Sequence, residues 1–344
     1  MRALTIDAHG GVERLRLRDD LPEPLVNDPY DVRVRIRAAA LNRLDLFVLA
    51  GIPGVTITPG WIVGSDGMGI VESVGAAVST VRVGETVVLN PGISDRSCEY
   101  CRTGDNPLCP RYQILGEHRT GTMAELVVVP EANVRRIPDH VPPEVAAAFP
   151  LATLTAWRMV VTRARVEAGD DMLIWGIGGG VALAALQIAK RRGAHVWVTS
   201  SSEDKLARAR ALGADETLNH RNLDVGREIR ARTGKRGVNV VIDSVGEATW
   251  KQSLGALGKR GRLVTCGGTS GPMVETDVRR MYWNQWTLMG STMGSDAEFD
   301  AIVDELRAGR LIPPVDSVHA LADGQAAYER LASGRQFGKV VVTV

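Results

Sequence analysis

Cysteine is scarce in this sequence, with four in 344 residues, too few for a disulfide scaffold in a chain of this length. Charge of one sign is scarce too. Lys plus Arg number 41 against 40 for Asp plus Glu, and a formal charge of +1 gives no general attraction to nucleic acid or to an anionic membrane. Lysine itself is rare: 6 of the 41 cations, none before Lys190, a bias toward arginine that reads as compositional. The opening MRALTIDAHGG has no apolar stretch of the roughly 7–15 residues a signal peptide needs. A cytoplasmic address is the default expectation. One long uncharged run exists, the 18 residues from Met172 to Ala189, and a hydropathy scan would take it for a membrane helix. Its cluster of Gly176, Gly178, Gly179 and Gly180 divides it into a strand, a turn and the start of a helix instead. Neither a membrane nor a nucleic-acid partner is expected, and there is no internal repeat or low-complexity tract.

What is present fits a soluble globular protein. Apolar residues make up 44% and charged ones 24%, enough for real cores, and the length suggests two domains at roughly 100–200 residues each. Up to about Pro150 the pattern is short β-type runs, such as Val32 to Ala38, Ile70 to Val74 and Glu125 to Val129, between Gly and Pro turns. From Asp171 strands alternate with helices. Residues 172–175 read as a strand, Val181 to Arg192 as a helix, 195–199 as a strand and Glu203 to Leu212 as a helix; further apolar runs begin at Asn239, Arg262 and Trp286. Such βα units imply an α/β fold with a doubly wound parallel sheet, of Rossmann type. Two helices, Ala297 to Ala308 and Asp323 to Ala332, and a final strand in KVVVTV complete the pattern.

The glycine turn follows a strand and opens a helix, where backbone N–H groups and a helix N-terminus can hold a pyrophosphate. Its best frame is Gly176-x-x-Gly179-x-x-Ala182, with Gly178 and Gly180 beside it. A dinucleotide site usually has an acidic residue at the end of the next strand, to bind the ribose hydroxyls. Here that place is Ser200, followed by Ser201 and, shortly after, Lys205. Hydroxyls and an ammonium match a 2′-phosphate better than free hydroxyls, so NADPH is expected ahead of NADH. The competing reading is a Ser-rich turn that caps the following helix.

The cysteines are not scattered. Cys98, Cys101 and Cys109 fall together, with Asp95 three residues before the first, and in a reducing compartment this favours a metal over a bridge. A carboxylate is an accepted zinc ligand, so a closed Cys3Asp tetrahedron is chemically reasonable. Three free thiols in a loop are the alternative.

The spacing Asp95-x2-Cys98-x2-Cys101-x7-Cys109 resembles the structural-zinc lobe of the medium-chain dehydrogenase/reductase superfamily, and the glycine turn, the LTAW segment and the closing FGKVVVTV extend the resemblance over essentially the whole chain. It implies a GroES-like β domain at 1–152 plus 293–344, carrying the lobe at about 90–112, and a Rossmann domain at 153–292. It also implies a homodimer or homotetramer. The catalytic-zinc places of the zinc alcohol dehydrogenases read Asn42, Ser65-Asp66 and Leu151 in this chain, and their proton-relay positions Leu44 and Phe47. Those are not the three good ligands an open zinc site needs. The chain is more similar to the zinc-free quinone oxidoreductase branch, in whose pattern LNRLD places Asn42 and Asp45. The resemblance thus implies one structural zinc and hydride transfer from NADPH to an enone, quinone or other small carbonyl compound. Asn42, Asp45 and His118 are the candidate catalytic residues, and Thr155, Gly267, Ser291 and Met293 complete the cofactor site. A zinc-dependent alcohol dehydrogenase and a non-catalytic NADPH-binding partner or redox sensor are the other readings.

Overall fold

The computed structural model describes residues 1–344, which divide into two compact units: Met1–Leu154 with Gly294–Val344, and Thr155–Met293. The first begins with β1 (Ala3–Ile6), β2 (Arg16–Arg18), β3 (Asp31–Ala40), α1 (Arg43–Ala50), β4 (Trp61–Ile62), β5 (Asp66–Val74), β6 (Thr86–Leu89) and β7 (Gly92–Ile93). It continues through α2 (Glu99–Arg102), β8 (Gln113–Ile114), β9 (Leu126–Pro130), β10 (Val134–Arg136) and α3 (Pro143–Ala147), and α4 (Pro150–Trp157) runs across the boundary between the units. β3 shows why this region forms sheet. Val32, Val34 and Ile36 are buried, whereas Arg33 and Arg35 alternate with them and pair with Glu72 of β5. A period of two with β-branched residues on the buried face is what a half-buried strand requires.

The second unit alternates strand and helix: β11 (Asp171–Ile174), α5 (Gly180–Arg191), β12 (His195–Ser200), α6 (Glu203–Ala211), β13 (Glu216–Asn219), α7 (Val225–Arg232), β14 (Val238–Asp243), α8 (Glu247–Ala256), β15 (Leu257–Thr265), α9 (Val278–Asn284) and β16 (Thr287–Gly290). All its strands are parallel, in the order β13-β12-β11-β14-β15-β16. The order reverses at β11, and in open α/β sheets ligands bind in the crevice outside the strand ends at such a reversal. α5 packs Leu183, Leu186 and Ile188 inward, each stabilising the fold by about 1.5–3 kcal/mol. Lys190 and Arg191 in its last turn suit the helix dipole.

The chain then returns to the first unit with α10 (Asp296–Arg307), β17 (Val315–Ala320), α11 (Gly324–Ala332) and β18 (Lys339–Thr343). Ser295 and Glu298 cap α10 reciprocally, each side chain accepting from the other's backbone N–H. β18 runs antiparallel to β3 with Val341 opposite Ala40, and on the other side of β3 Asp66 of β5 is opposite the same Ala40. The starts of β5 and β18 therefore flank the end of β3. No helix is long and apolar enough to cross a membrane.

Candidate active site

That meeting of strand ends builds a buried polar cluster. Asn42, just past β3, is the N-cap of α1. Its Nδ2 donates to Asp66 Oδ2 at 2.9 Å, and its Oδ1 accepts from Lys339 Nζ at 2.5 Å. Lys339 also pairs with Asp66 Oδ2 at 2.8 Å. The other Asp66 oxygen accepts from the backbone N–H of Leu151 at 2.8 Å. Lys339 is 4% exposed and Asp66 0%, so ammonium and carboxylate are each other's main compensation for lost water. Asp45, also buried, accepts from the backbone N–H of Asn42 at 2.5 Å. Burial pushes its carboxyl up to about 7, against the opposing pull of that hydrogen bond and of the Lys339 charge. The phenol of Tyr328 is buried near Asp45 with no hydrogen-bond partner, and burial raises its pKa well above the ordinary value.

Asn42 and Asp45 are thus brought together, and Lys339, which the sequence reading passed over, joins them with Asp66. His118 is not bonded to them. Its Nδ1 accepts from the backbone of Ile114 at 3.3 Å and lies 3.9 Å from Glu117 Oε2. The places suited to a catalytic metal fail on chemistry. The Asn42 oxygen and the Asp66 carboxylate are committed to a resident ammonium, Ser65 contributes a buried hydroxyl, and Leu151 has only an aliphatic side chain. A dication there would meet the Lys339 charge at close range.

In the second unit the glycine turn lies between β11 and α5, at the point where the strand order reverses. Gly179, the N-cap of α5, has an extended backbone (φ −78°, ψ 153°) and no side-chain cap. A Cβ built on it would meet nothing nearer than the Gly176 oxygen at 4.0 Å. Neither conformation nor packing demands glycine there, so the bare backbone fits close approach by a pyrophosphate to the free N–H groups of α5. Gly178 is different: its φ of +123° favours glycine by itself. Gly180 and Ala182 lie in the first turn of α5. Ser200 ends β12, Gly267 follows β15, and Ser291 follows β16 with a buried hydroxyl that has no partner. These are all carboxyl ends of parallel strands. Thr155 belongs to α4, and Met293 has a positive φ of 46°. The serine run also has a helix-capping role: Ser202 accepts from the Lys205 backbone at 3.4 Å, and Ser200 Oγ accepts from the Ser202 backbone at 3.1 Å. Ser201 is exposed.

The lobe in the first unit brings Asp95, Cys98, Cys101 and Cys109 together, their donor atoms all within 4.8 Å of one another and the sulfurs of Cys98 and Cys101 3.5 Å apart. Tetrahedral zinc with Zn–S bonds of about 2.3 Å needs ligand atoms spaced in this range. Asp95 Oδ1 accepts from the Ser97 and Cys98 backbones, bonds that hold its carboxyl well below the usual range, and Oδ2 pairs with Arg111 at 2.9 Å. The donor set fits a structural zinc.

A dinucleotide-type sheet joined to a β domain with a four-donor lobe defines an NAD(P)-dependent oxidoreductase fold with a Cys-rich lobe whose donors fit a metal. Residues 28–139 match the alcohol dehydrogenase GroES-like domain family and residues 180–308 the zinc-binding dehydrogenase family. A quinone oxidoreductase of Pseudomonas aeruginosa is 33% identical, over 97% of both chains. A zinc-type alcohol dehydrogenase-like protein of Schizosaccharomyces pombe is 30% identical, over 100% of this chain and 99% of its own. The solved structure of an NAD-dependent alcohol dehydrogenase is 44% identical, with a TM-score of 0.95 over 100% of both chains. The chain belongs to the medium-chain dehydrogenase/reductase superfamily.

Proposed function

We propose that the chain is a cytoplasmic, NADPH-preferring reductase of α,β-unsaturated carbonyl compounds or quinones that works without a catalytic zinc. The observation that carries this reading is the Lys339 ammonium between Asn42 and Asp66, which takes the donors a catalytic metal would need. Conjugated acceptors suit such a site because conjugation spreads the developing charge and lessens the need for a Lewis acid. Bound NADPH would supply the hydride to the β-carbon, the alkene electrons moving onto the carbonyl oxygen and a solvent proton completing the product. The chain's own work is to hold and orient. Gly176, Gly179 and Ala182 seat the pyrophosphate, Ser200 and Lys205 receive the 2′-phosphate, Thr155 fixes the nicotinamide, and Asn42 hydrogen-bonds the acceptor oxygen. Asp95, Cys98, Cys101 and Cys109 hold one zinc that supports the fold. Exposed Val278, Tyr282 and Trp283 on α9, next to the edge strand β16, support association with a second copy.

Steady-state rates with NADPH and NADH against cyclohex-2-enone, a benzoquinone, an aldehyde and ethanol test the reading. Enone or quinone reduction that survives removal of all but one zinc is expected. Ethanol oxidation that depends on a second metal, without enone or quinone turnover, would overturn it.

A further inference from the structure

Lys339 and Asn42 each keep one donor proton that has no partner in the protein. Lys339 has three ammonium protons and uses two, on Asn42 Oδ1 and Asp66 Oδ2. Asn42 has two amide protons and uses one, on Asp66. Both Asp66 oxygens and the Asn42 Oδ1 are already taken. Lys339 can only donate and the Asp66 carboxylate only accepts, so together they permit a single orientation of the Asn42 carboxamide. The free Nδ2 proton is thereby aimed in one direction.

We propose that Lys339 is a positioning residue for the reduction: a protein-borne cation that fixes and polarises the Asn42 amide against the acceptor oxygen, in the place where the metal enzymes of the superfamily would have their ion. This rests on the hydride-transfer reading above. An ammonium on Oδ1 draws electron density from the amide and makes the remaining Nδ2–H a stronger donor, and the effect is large where water is excluded. Charge that develops on the acceptor oxygen then meets a donor whose direction is set beforehand. The surrounding groups keep the cation from being neutralised twice. Asp66 is its one ion-pair partner, while burial pushes the Asp45 carboxyl up to about 7, which reduces its negative charge near neutrality.

The choice of lysine is informative in a chain that uses arginine for 35 of its 41 cations. A compact ammonium satisfies one amide oxygen and one carboxylate at 4% exposure, whereas a guanidinium would bring five donors and a planar fork into the same space. Lys339→Arg is therefore expected not to rescue function.

The test uses the full chain with its zinc. Lys339→Met leaves Asp66 buried without a counter-ion and can fail to fold, so Lys339→Met/Asp66→Asn, which keeps the cluster neutral, is made alongside. Two readouts are taken. The first is kcat and KM for NADPH and cyclohex-2-enone. The second is the infrared carbonyl band of 13C-labelled cyclohex-2-enone bound in the presence of NADP+, which reports polarisation without turnover. The expected result is a band well below its position in water for the wild type, moved back toward that position in the double variant, with kcat reduced roughly 30- to 100-fold. A double variant with wild-type kcat, a loss confined to KM for NADPH, or a wild-type band at its aqueous position overturns the proposal. A shifted wild-type band with no turnover of enone or quinone overturns the hydride-transfer reading and with it a role in reduction, whereas turnover with an unshifted band overturns the role of Lys339 alone.

Discussion

The carboxylate of Asp45 turns back on its own helix and accepts the backbone N–H of Asn42 at 2.5 Å while almost wholly withdrawn from water. Its pKa of about 7 lies above the ~3.9 of an unfolded aspartate, so between these values the folded chain holds a proton that the unfolded chain has lost. Stability from this group is complete below about pH 4 and is lost as pH rises through 7. Asp45→Asn keeps an acceptor oxygen and removes the charge. Urea unfolding should show the variant more stable than wild type at pH 8, by on the order of 2–4 kcal/mol, with little difference at pH 4.

Zinc content follows from the lobe. Natively purified protein should contain one zinc per chain, and Cys101→Ser should lose it and melt several degrees lower, because metal binding free energy is also folding free energy. Asp95→Cys should retain the metal more firmly against a chelator. Two zincs per chain by elemental analysis would contradict the donor chemistry at Asn42 and Asp66.

Gly179→Val separates fold from cofactor. The backbone there is open to any residue and a Cβ has room, so the melting temperature should change little. The new side chain stands where the pyrophosphate approaches, and NADPH affinity by fluorescence titration should drop at least about tenfold.

Ser200→Asp puts a carboxylate at the end of β12, where it repels a 2′-phosphate and accepts from free ribose hydroxyls. The ratio of kcat/KM for NADPH to that for NADH should fall by at least about tenfold. A wild type that already prefers NADH strongly would refute the assignment of Ser200 and Lys205.

Trp283 is 78% exposed beside Tyr282 at 63%, a large apolar surface for a lone subunit. Trp283→Glu should shift the oligomer toward a smaller species in light scattering, without lowering the zinc content.

The α/β class was legible because periodicity changes so sharply: alternation in β3, then βα units after Asp171. Helices α7 and α8 were not read. α7 is short and strongly charged, with Arg227, Arg230 and Arg232 against few apolar residues, and its signal is the Asp224 cap that accepts from Arg227 N–H. α8 buries Trp250 and Leu254 but carries Thr249, Ser253 and Gly255, weak helix formers that blur the period. At the site, Asn42 and Asp45 could be named because they share one local motif. Lys339 could not: it sits in the closing FGKVVVTV, but its role depends on β18 lying beside β3. Its rarity was the available signal, one of only six lysines.

These partners lie far apart in the chain. Lys339 follows Asp66 by 273 positions and Asn42 by 297, with the whole second unit in between. While the chain is being made, Asp66 has no counter-ion until the inserted unit has been completed and the strand bearing Lys339 has added itself to the edge of β3. Until then the carboxylate is better off in water than in a core. Closing the first unit around its polar centre without β18 would bury that carboxylate unpaired, so the ion pair ties the two halves of the discontinuous unit to each other.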